Sequence, residues 1–381
     1  MQTAIPETFN ADIAIVIPCF NEPTLNETLS DLVQKDSTGK KVLVIIVVNS
    51  GIKTDPYIIE QNRKTYFEVQ KFASQYSSET MMFFPVIVEN LPRKHAGVGL
   101  ARKIGMDLSI DCFLKIQNPR GIIISLDADC LVSENYIPSI YQAFQEDSKL
   151  STVILNYHHR VENDDPKLEN AIRQYENYIQ YFENALRYIG FPYYYHTIGS
   201  AFAVSADAYV QVGGMGRQQG GEDFYFLQKV FQMGRVKELA DTYVYPKARY
   251  SDRIPFGTGP ALQKIIDESN AEMMVYSTDS FEALKSLFSL KDTFFKQEES
   301  QIKSSISRLH PAVVHFLNNN NFIEEINDCN SNSATIPTFQ KRFFHHFNAF
   351  KIIKYLNFAH PSYFELQPLN EALTQLANTI R

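Results

Sequence analysis

The chain has 381 residues, 44% of them apolar, and its 36 Lys and Arg against 43 Asp and Glu give a formal charge of −7. That length accommodates one large α/β domain plus a smaller appendage, with a core that needs no disulfide or metal staple. The acidic balance works against non-specific nucleic-acid binding, which requires a basic surface to displace phosphate counterions, so no nucleic-acid partner is expected.

Asp12 to Pro18 is a short β-branched run that reads as a buried strand. After a loop from Cys19 to Pro23, a helix is predicted from about Asn26, taken as its cap, to Gln34. Val42 to Val48 is a second continuous apolar run, closed by the turn residues Asn49-Ser50-Gly51. A helix over 57–77, a strand over Met82 to Val88, a helix over Gly99 to Leu108 and a strand over Gly121 to Leu126 follow. Strands alternating with helices predict parallel pairing with right-handed crossovers, and ligands in such sheets lie beyond the carboxyl ends of the strands. Asn21, Asn49 and Asp127 all occupy such ends.

Leu168, Ile172, Tyr175, Ile179, Phe182, Leu186 and Ile189 form one apolar stripe on an amphipathic helix, which Asp165 and Pro166 start. Its polar face mixes both charge signs, so packing against a core is expected, with peripheral membrane association left open. From about Gln263 the pattern is helical and rich in Phe, Lys and Asn, with Asn318 to Asn321 and Asn327 to Ser333 read as polar loops. The domain division this implies is 10–260 and 261–381. Cys19, Cys112, Cys130 and Cys329 form no CxxC pair, which argues for reduced thiols over a zinc site. The N-terminus shows no secretory signal and no apolar run approaches the ~20 residues of a membrane span, so a cytoplasmic location is expected.

Three segments carry chemistry. Ile123-Ile124-Ser125-Leu126 delivers Asp127 and Asp129 from a buried strand into a loop. Paired carboxylates suit a hard cation, Mn²⁺ or Mg²⁺, and such a cation neutralises a departing diphosphate. Taken alone, the triplet also reads as a turn with two solvated aspartates. Gly97 and Gly99 permit close approach ahead of Arg102, whose fork can bond phosphate oxygens, although a helix start with an exposed Arg fits the same residues. The third glycine of a dinucleotide fingerprint is absent, so a dehydrogenase is disfavoured. Gly220-Gly221 places Glu222 and Asp223 at the start of an apolar helical pattern, where a carboxylate can take the proton of an acceptor hydroxyl or simply complement the helix dipole.

In this order the motifs resemble glycosyltransferase family 2 with its GT-A fold. Pro18, Phe20, Asn21 and Glu22 resemble that family's opening strand and nucleoside loop, and Asn49 resembles its second strand end, where a carboxylate or amide contacts the base. Gly97 to Gly105 is similar to its Gly-x-x-x-Ala-Arg-x-x-Gly segment, Asp127-Ala128-Asp129 to its metal triplet, and Glu222-Asp223 to its Glu-Asp pair. The resemblance runs over roughly residues 12 to 250. It implies a mostly parallel central sheet flanked by helices with a helical C-terminal appendage. It also implies a nucleotide-sugar donor, UDP-linked by preference, and a saccharide, lipid-linked or other hydroxyl acceptor. Inverting transfer in cell-surface polysaccharide or glycoconjugate synthesis follows, with Asp223 as base beside Glu222, Asn21, Asn49 and Arg102 at the donor, Asp127 at the ribose or the cation, and Asp129 at the cation. Arg249 and Arg253 in the following Arg- and Gly-rich segment are candidates for a lid over the diphosphate. Asn49-Ser50 departs from the commoner acidic pair, and the absence of Trp disfavours a cellulose-type processive synthase. A sugar-nucleotidyltransferase would carry a basic Gly-rich loop after the first strand, which Cys19 to Pro23 is not. A non-catalytic nucleotide-sugar-binding protein would have lost one of the acids.

Overall fold

The computed structural model describes residues 5, 9–35, 39–162, 165–249, 262, 265 and 272–380. In chain order the first part runs β1 (Ile13–Cys19), α1 (Leu25–Gln34), β2 (Val42–Gly51), α2 (Pro56–Tyr76), β3 (Met81–Leu91), α3 (Val98–Lys115), β4 (Ile122–Ser125) and β5 (Cys130–Val132). It continues with α4 (Tyr136–Glu146), β6 (Leu150–Tyr157), α5 (Pro166–Tyr188), β7 (Phe202–Ser205), α6 (Ala206–Gln211), α7 (Glu222–Val230) and β8 (Arg235–Pro246).

These strands form one eight-stranded sheet in the order β3-β2-β1-β4-β7-β6-β8-β5. The half built from β3, β2, β1 and β4 is parallel, as the alternation of elements predicts. In the other half β6 and β8 are parallel, whereas β7 runs antiparallel to β4 and β6, and β5 runs antiparallel to β8. A strand as short as β5 or β7 has too little periodicity for its direction to be read from sequence. Every residue of β1 and β2 is buried, as expected of apolar runs covered on both faces. Alternate residues Ile13, Ile15 and Ile17 share one core with Val44, Ile46, Leu29 of α1 and Ile140 of α4. On α3, a Cβ at Gly105 would lie 2.4 Å from Val16 Cγ1, so this glycine lets the helix lie directly against β1.

Two helix details differ from expectation. The N-cap of α1 is Thr24, not Asn26, because the buried Leu25 already belongs to the first turn. Thr24 caps nothing with its side chain, its hydroxyl donating instead to Glu22 Oε1 at 2.8 Å. α3 continues past Leu108 to Lys115, since Cys112 and Phe113 are buried on its core face.

The chain divides into two compact units, residues 1–169 with 197–263, and residues 170–196 with 264–381. The second is helical, around a phenylalanine core in which Phe288 meets Phe343, Phe344 and Phe347 edge-on at 5.9, 5.2 and 5.2 Å. Most of α5 belongs to it: Tyr181 donates to the Tyr276 carbonyl at 2.7 Å and packs edge-on against Phe281. Asn327 to Ser331, read as loop, is helical within Phe322–Ser331, because Phe322, Ile326 and Cys329 bury one face and leave the polar residues outside. Asn321, with φ 52°, provides the turn before it. Among the described residues no helix is long and apolar enough to cross a membrane.

Candidate active site

The centre of the site is Arg102, one turn into α3 and 2% exposed. Its Nη1 donates to Glu222 Oε1 in a short contact, and its Nη2 donates to Asp127 Oδ1 at 2.7 Å. Its Nε is buried without a partner among the described residues. Asp127 stands just beyond β4, whose path is extended by the Leu126 N–H donating to the Val16 carbonyl at 3.1 Å. The acidic turn closes where Cys130 N–H meets the Asp127 carbonyl at 3.3 Å, and Thr28 pins it by donating to the Ala128 carbonyl at 3.0 Å.

Glu222 and Asp223 open α7, after Gly221 at φ 70°. The Glu222 side chain is 2% exposed, whereas that of Asp127 is 39% exposed. Asp223 is half-buried, and its Oδ1 accepts from the Phe224 N–H at 2.8 Å. Close approach depends on two glycines. A Cβ on Gly99 would sit 2.2 Å from the Gln218 carbonyl oxygen, and one on Gly199 would sit 2.8 Å from Arg102 Nη2 and 2.9 Å from Asp223 Oδ2. Ser125 holds Gly199 in place by donating to its carbonyl at 2.6 Å.

A second group lies on the other side of the triplet. Arg249 donates to Glu22 Oε2 at 2.6 Å and to Asp129 Oδ2 at 2.8 Å. Arg160 reaches the Asp129 carbonyl and Glu27 Oε2, both at 3.3 Å. A third group joins the ends of β1 and β2: Asn62 on α2 accepts from the Asn21 N–H at 2.8 Å and donates to the Asn49 carbonyl at 3.0 Å. Pro18 is buried in β1 opposite Val47, and Phe20 follows it half-buried.

Burial and charge compete throughout. Burial raises the pKa of Glu222, with Arg102 opposing and Asp223 adding to the rise, and the net shift is upward. Asp223 is raised for the same first reason, against the pull of Arg102 and of the Phe224 N–H. Burial lifts Asp129 to about 6, with Arg249 opposing and the neighbouring Asp127 and Glu22 adding to the rise. Burial works to lower the Arg102 pKa, yet Asp127, Glu222 and Asp223 outweigh it and raise it.

The structure therefore brings together Arg102, Asp127, Glu222 and Asp223, and separately Glu22 with Asp129. Arg253 and the segment from Tyr250 to Gly259 lie outside the described residues. Asn62 escaped the sequence reading, although a signal was present: it occupies the buried stripe of α2 with Tyr66 and Val69, where an amide stands out. Asp127 and Asp129 are the carboxylates that could hold a cation. Among the described residues no group of three or more His, Cys, Asp and Glu is arranged to hold one.

A family model described as glycosyl transferase family 2 matches residues 14–209. Among solved structures, S. aureus TarS 1-349 in complex with UDP-GlcNAc is similar at 13% identity, over 90% of this chain and 81% of that one, with a TM-score of 0.43. S. aureus TarS 1-349 in complex with UDP is similar at 12% identity, over 87% of this chain and 90% of that one, with a TM-score of 0.42. No match was found among curated proteins.

Proposed function

The chain belongs to glycosyl transferase family 2, and from that premise we propose that it moves a sugar from a UDP-linked donor to an acceptor hydroxyl with inversion at the anomeric carbon. The observation that carries this reading is the Arg102 bridge. One guanidinium binds Asp127 of the triplet and Glu222 of the Glu-Asp pair, so the two acidic motifs border a single centre.

Asp223 is the base in this reading. Its carboxylate is half-buried beside Gly199, steadied by the Phe224 N–H, and it accepts the acceptor's proton as the hydroxyl attacks the anomeric carbon. Attack opposite the departing diphosphate inverts that centre. Glu222 is too buried to meet an acceptor; it orients Arg102. Arg102 and Arg249 set positive charge where the diphosphate gathers its negative charge. For the base, the buried amide of Asn49 offers both a donor and an acceptor, which matches the imide edge of uracil.

Asp127 and Asp129 also fit a divalent cation, Mn²⁺ or Mg²⁺. Their oxygens are hard donors, and together with Glu22, Glu222 and Asp223 they outnumber Arg102 and Arg249. Two carboxylates suffice, because such ions complete their shell with substrate phosphates and water instead of an all-protein cage. When bound, the cation offsets the charge of the departing diphosphate. A saccharide or lipid-linked hydroxyl of a cell-surface glycoconjugate is the acceptor class in this proposal, with the protein working at the cytoplasmic side and able to associate peripherally with a membrane.

The test is a screen of UDP-sugars for turnover, with calorimetry of UDP and GDP with and without Mn²⁺. Metal-linked UDP binding that Asp129→Ala abolishes is the expected result. Unchanged turnover and metal dependence in Asp129→Ala would overturn the proposal.

A further inference from the structure

We infer that Asn62 is a positioning residue for nucleoside recognition, its carboxamide tying the loop after β1 that carries Asn21 to the end of β2 that carries Asn49. This rests on the reading above, in which those two residues face the nucleoside. Asn62 is 2% exposed, on the inward stripe of α2. Its Oδ1 accepts from the backbone N–H of Asn21 and its Nδ2 donates to the backbone carbonyl of Asn49. One side chain therefore links the ends of β1 and β2, which are adjacent parallel strands.

Both clasped residues sit where regular structure stops. Asn21 has φ 49°, in the left-handed region that Asn tolerates better than most residues. Asn49 is the last regular pair of β2 with β3 before the register shifts ahead of Gly51. The task needs one acceptor and one donor on a short side chain, which a carboxamide supplies. An ionised carboxylate supplies acceptors only, and an aliphatic side chain supplies neither. Without the clasp, the Asn21 N–H and Asn49 carbonyl lose these partners, and the buried Asn49 amide, whose Nδ2 reaches the Gly97 carbonyl at 3.5 Å, loses the backbone anchor that aims it.

The full chain is tested as Asn62→Leu, Asn62→Asp and Asn49→Ala, by calorimetry with UDP and GDP and by kcat and KM for the active UDP-sugar. Asn62→Leu is expected to weaken UDP about ten-fold, to narrow the preference for UDP over GDP, and to raise donor KM more than it lowers kcat. Asn62→Asp keeps the volume and the bond to Asn21 but loses the donor to Asn49. It is expected to narrow the preference as well, and it carries the test if the leucine variant does not fold. If Asn49→Ala weakens UDP while both Asn62 variants keep wild-type affinity and preference, the inference is overturned and the nucleoside reading stands. A lower melting temperature with unchanged KM and preference likewise overturns it, as a purely structural role. If all three variants bind UDP like wild type, the nucleoside reading itself fails and the inference falls with it.

Discussion

Adding a single methyl at Gly199 should disable the site while leaving the fold intact. Its φ lies outside the left-handed region, so alanine brings no backbone strain, only a Cβ 2.8 Å from Arg102 Nη2 and 2.9 Å from Asp223 Oδ2. Unstrained contacts lie near 3.5 Å, so something must retreat by roughly half an ångström or more. Gly199 is anchored by Ser125, and Arg102 by Asp127 and Glu222. Asp223, half-buried and with one oxygen on a backbone N–H, is the group left to move. A misplacement approaching 1 Å at a reacting group costs about 10²-fold, so kcat of Gly199→Ala should fall between about 10- and 10²-fold. Overpacking should cost about 1–3 kcal/mol of stability. The assay is donor turnover at saturating UDP-sugar, paired with UDP calorimetry and thermal unfolding, and repeated in an Asp223→Asn background. If the methyl acts by displacing Asp223, it costs almost nothing further in that background. A kcat within about two-fold of wild type, or an undiminished loss in the double variant, would refute the reasoning.

Asp223→Asn itself should lower kcat by about 10²–10⁴-fold while leaving UDP affinity within about two-fold, which single-turnover rates and calorimetry separate. Only ionised Asp223 can take a proton and burial raises its pKa, so kcat should fall as pH drops through a value above the ordinary aspartate figure of ~3.9; a limb at or below that figure contradicts the assignment. Arg102→Met strands Asp127 and Glu222 beside one another without their cation, and urea unfolding should show a loss of about 3–5 kcal/mol; a loss under about 1 kcal/mol would show that the bridge does not matter to the fold.

How much of this was legible in the sequence depended on the range of each signal. β1 and β2 announce themselves as continuous β-branched runs, and their parallel pairing follows from the helix between them. The acids of β4 and α7 were visible as residues, but their union through Arg102 spans 120 positions and no periodicity reports it. Gly199 carries no sequence signal of its role, since what requires it is Arg102 and Asp223, which converge only in the fold. The helix over 322–331 was hidden because Asn and Asp fill its exposed face, leaving only Phe322, Ile326 and Cys329 to mark the buried one. Arg249 was legible as a basic residue of an Arg- and Gly-rich segment, but its tie to Glu22 joins the chain beyond β8 to the chain beyond β1, which sequence distance cannot relate.

The charge balance of the site connects the proposed cation to the proposed base. Glu22, Asp127, Asp129, Glu222 and Asp223 are gathered around Arg102 and Arg249, an excess of acid where an anionic diphosphate is proposed to bind. Such a site can reduce its negative charge by keeping some carboxyls protonated, and the raised pKa values of Asp129, Glu222 and Asp223 point that way. Protonation of Asp223, however, would remove the proposed acceptor for the hydroxyl proton. A hard cation held by Asp127 and Asp129 would make the local potential less negative without that loss, and would favour the ionised form of the neighbouring carboxyls. Proton and cation would thus compete to neutralise the same acids, and in the proposed mechanism a bound cation would favour the ionised Asp223 that acts as the base.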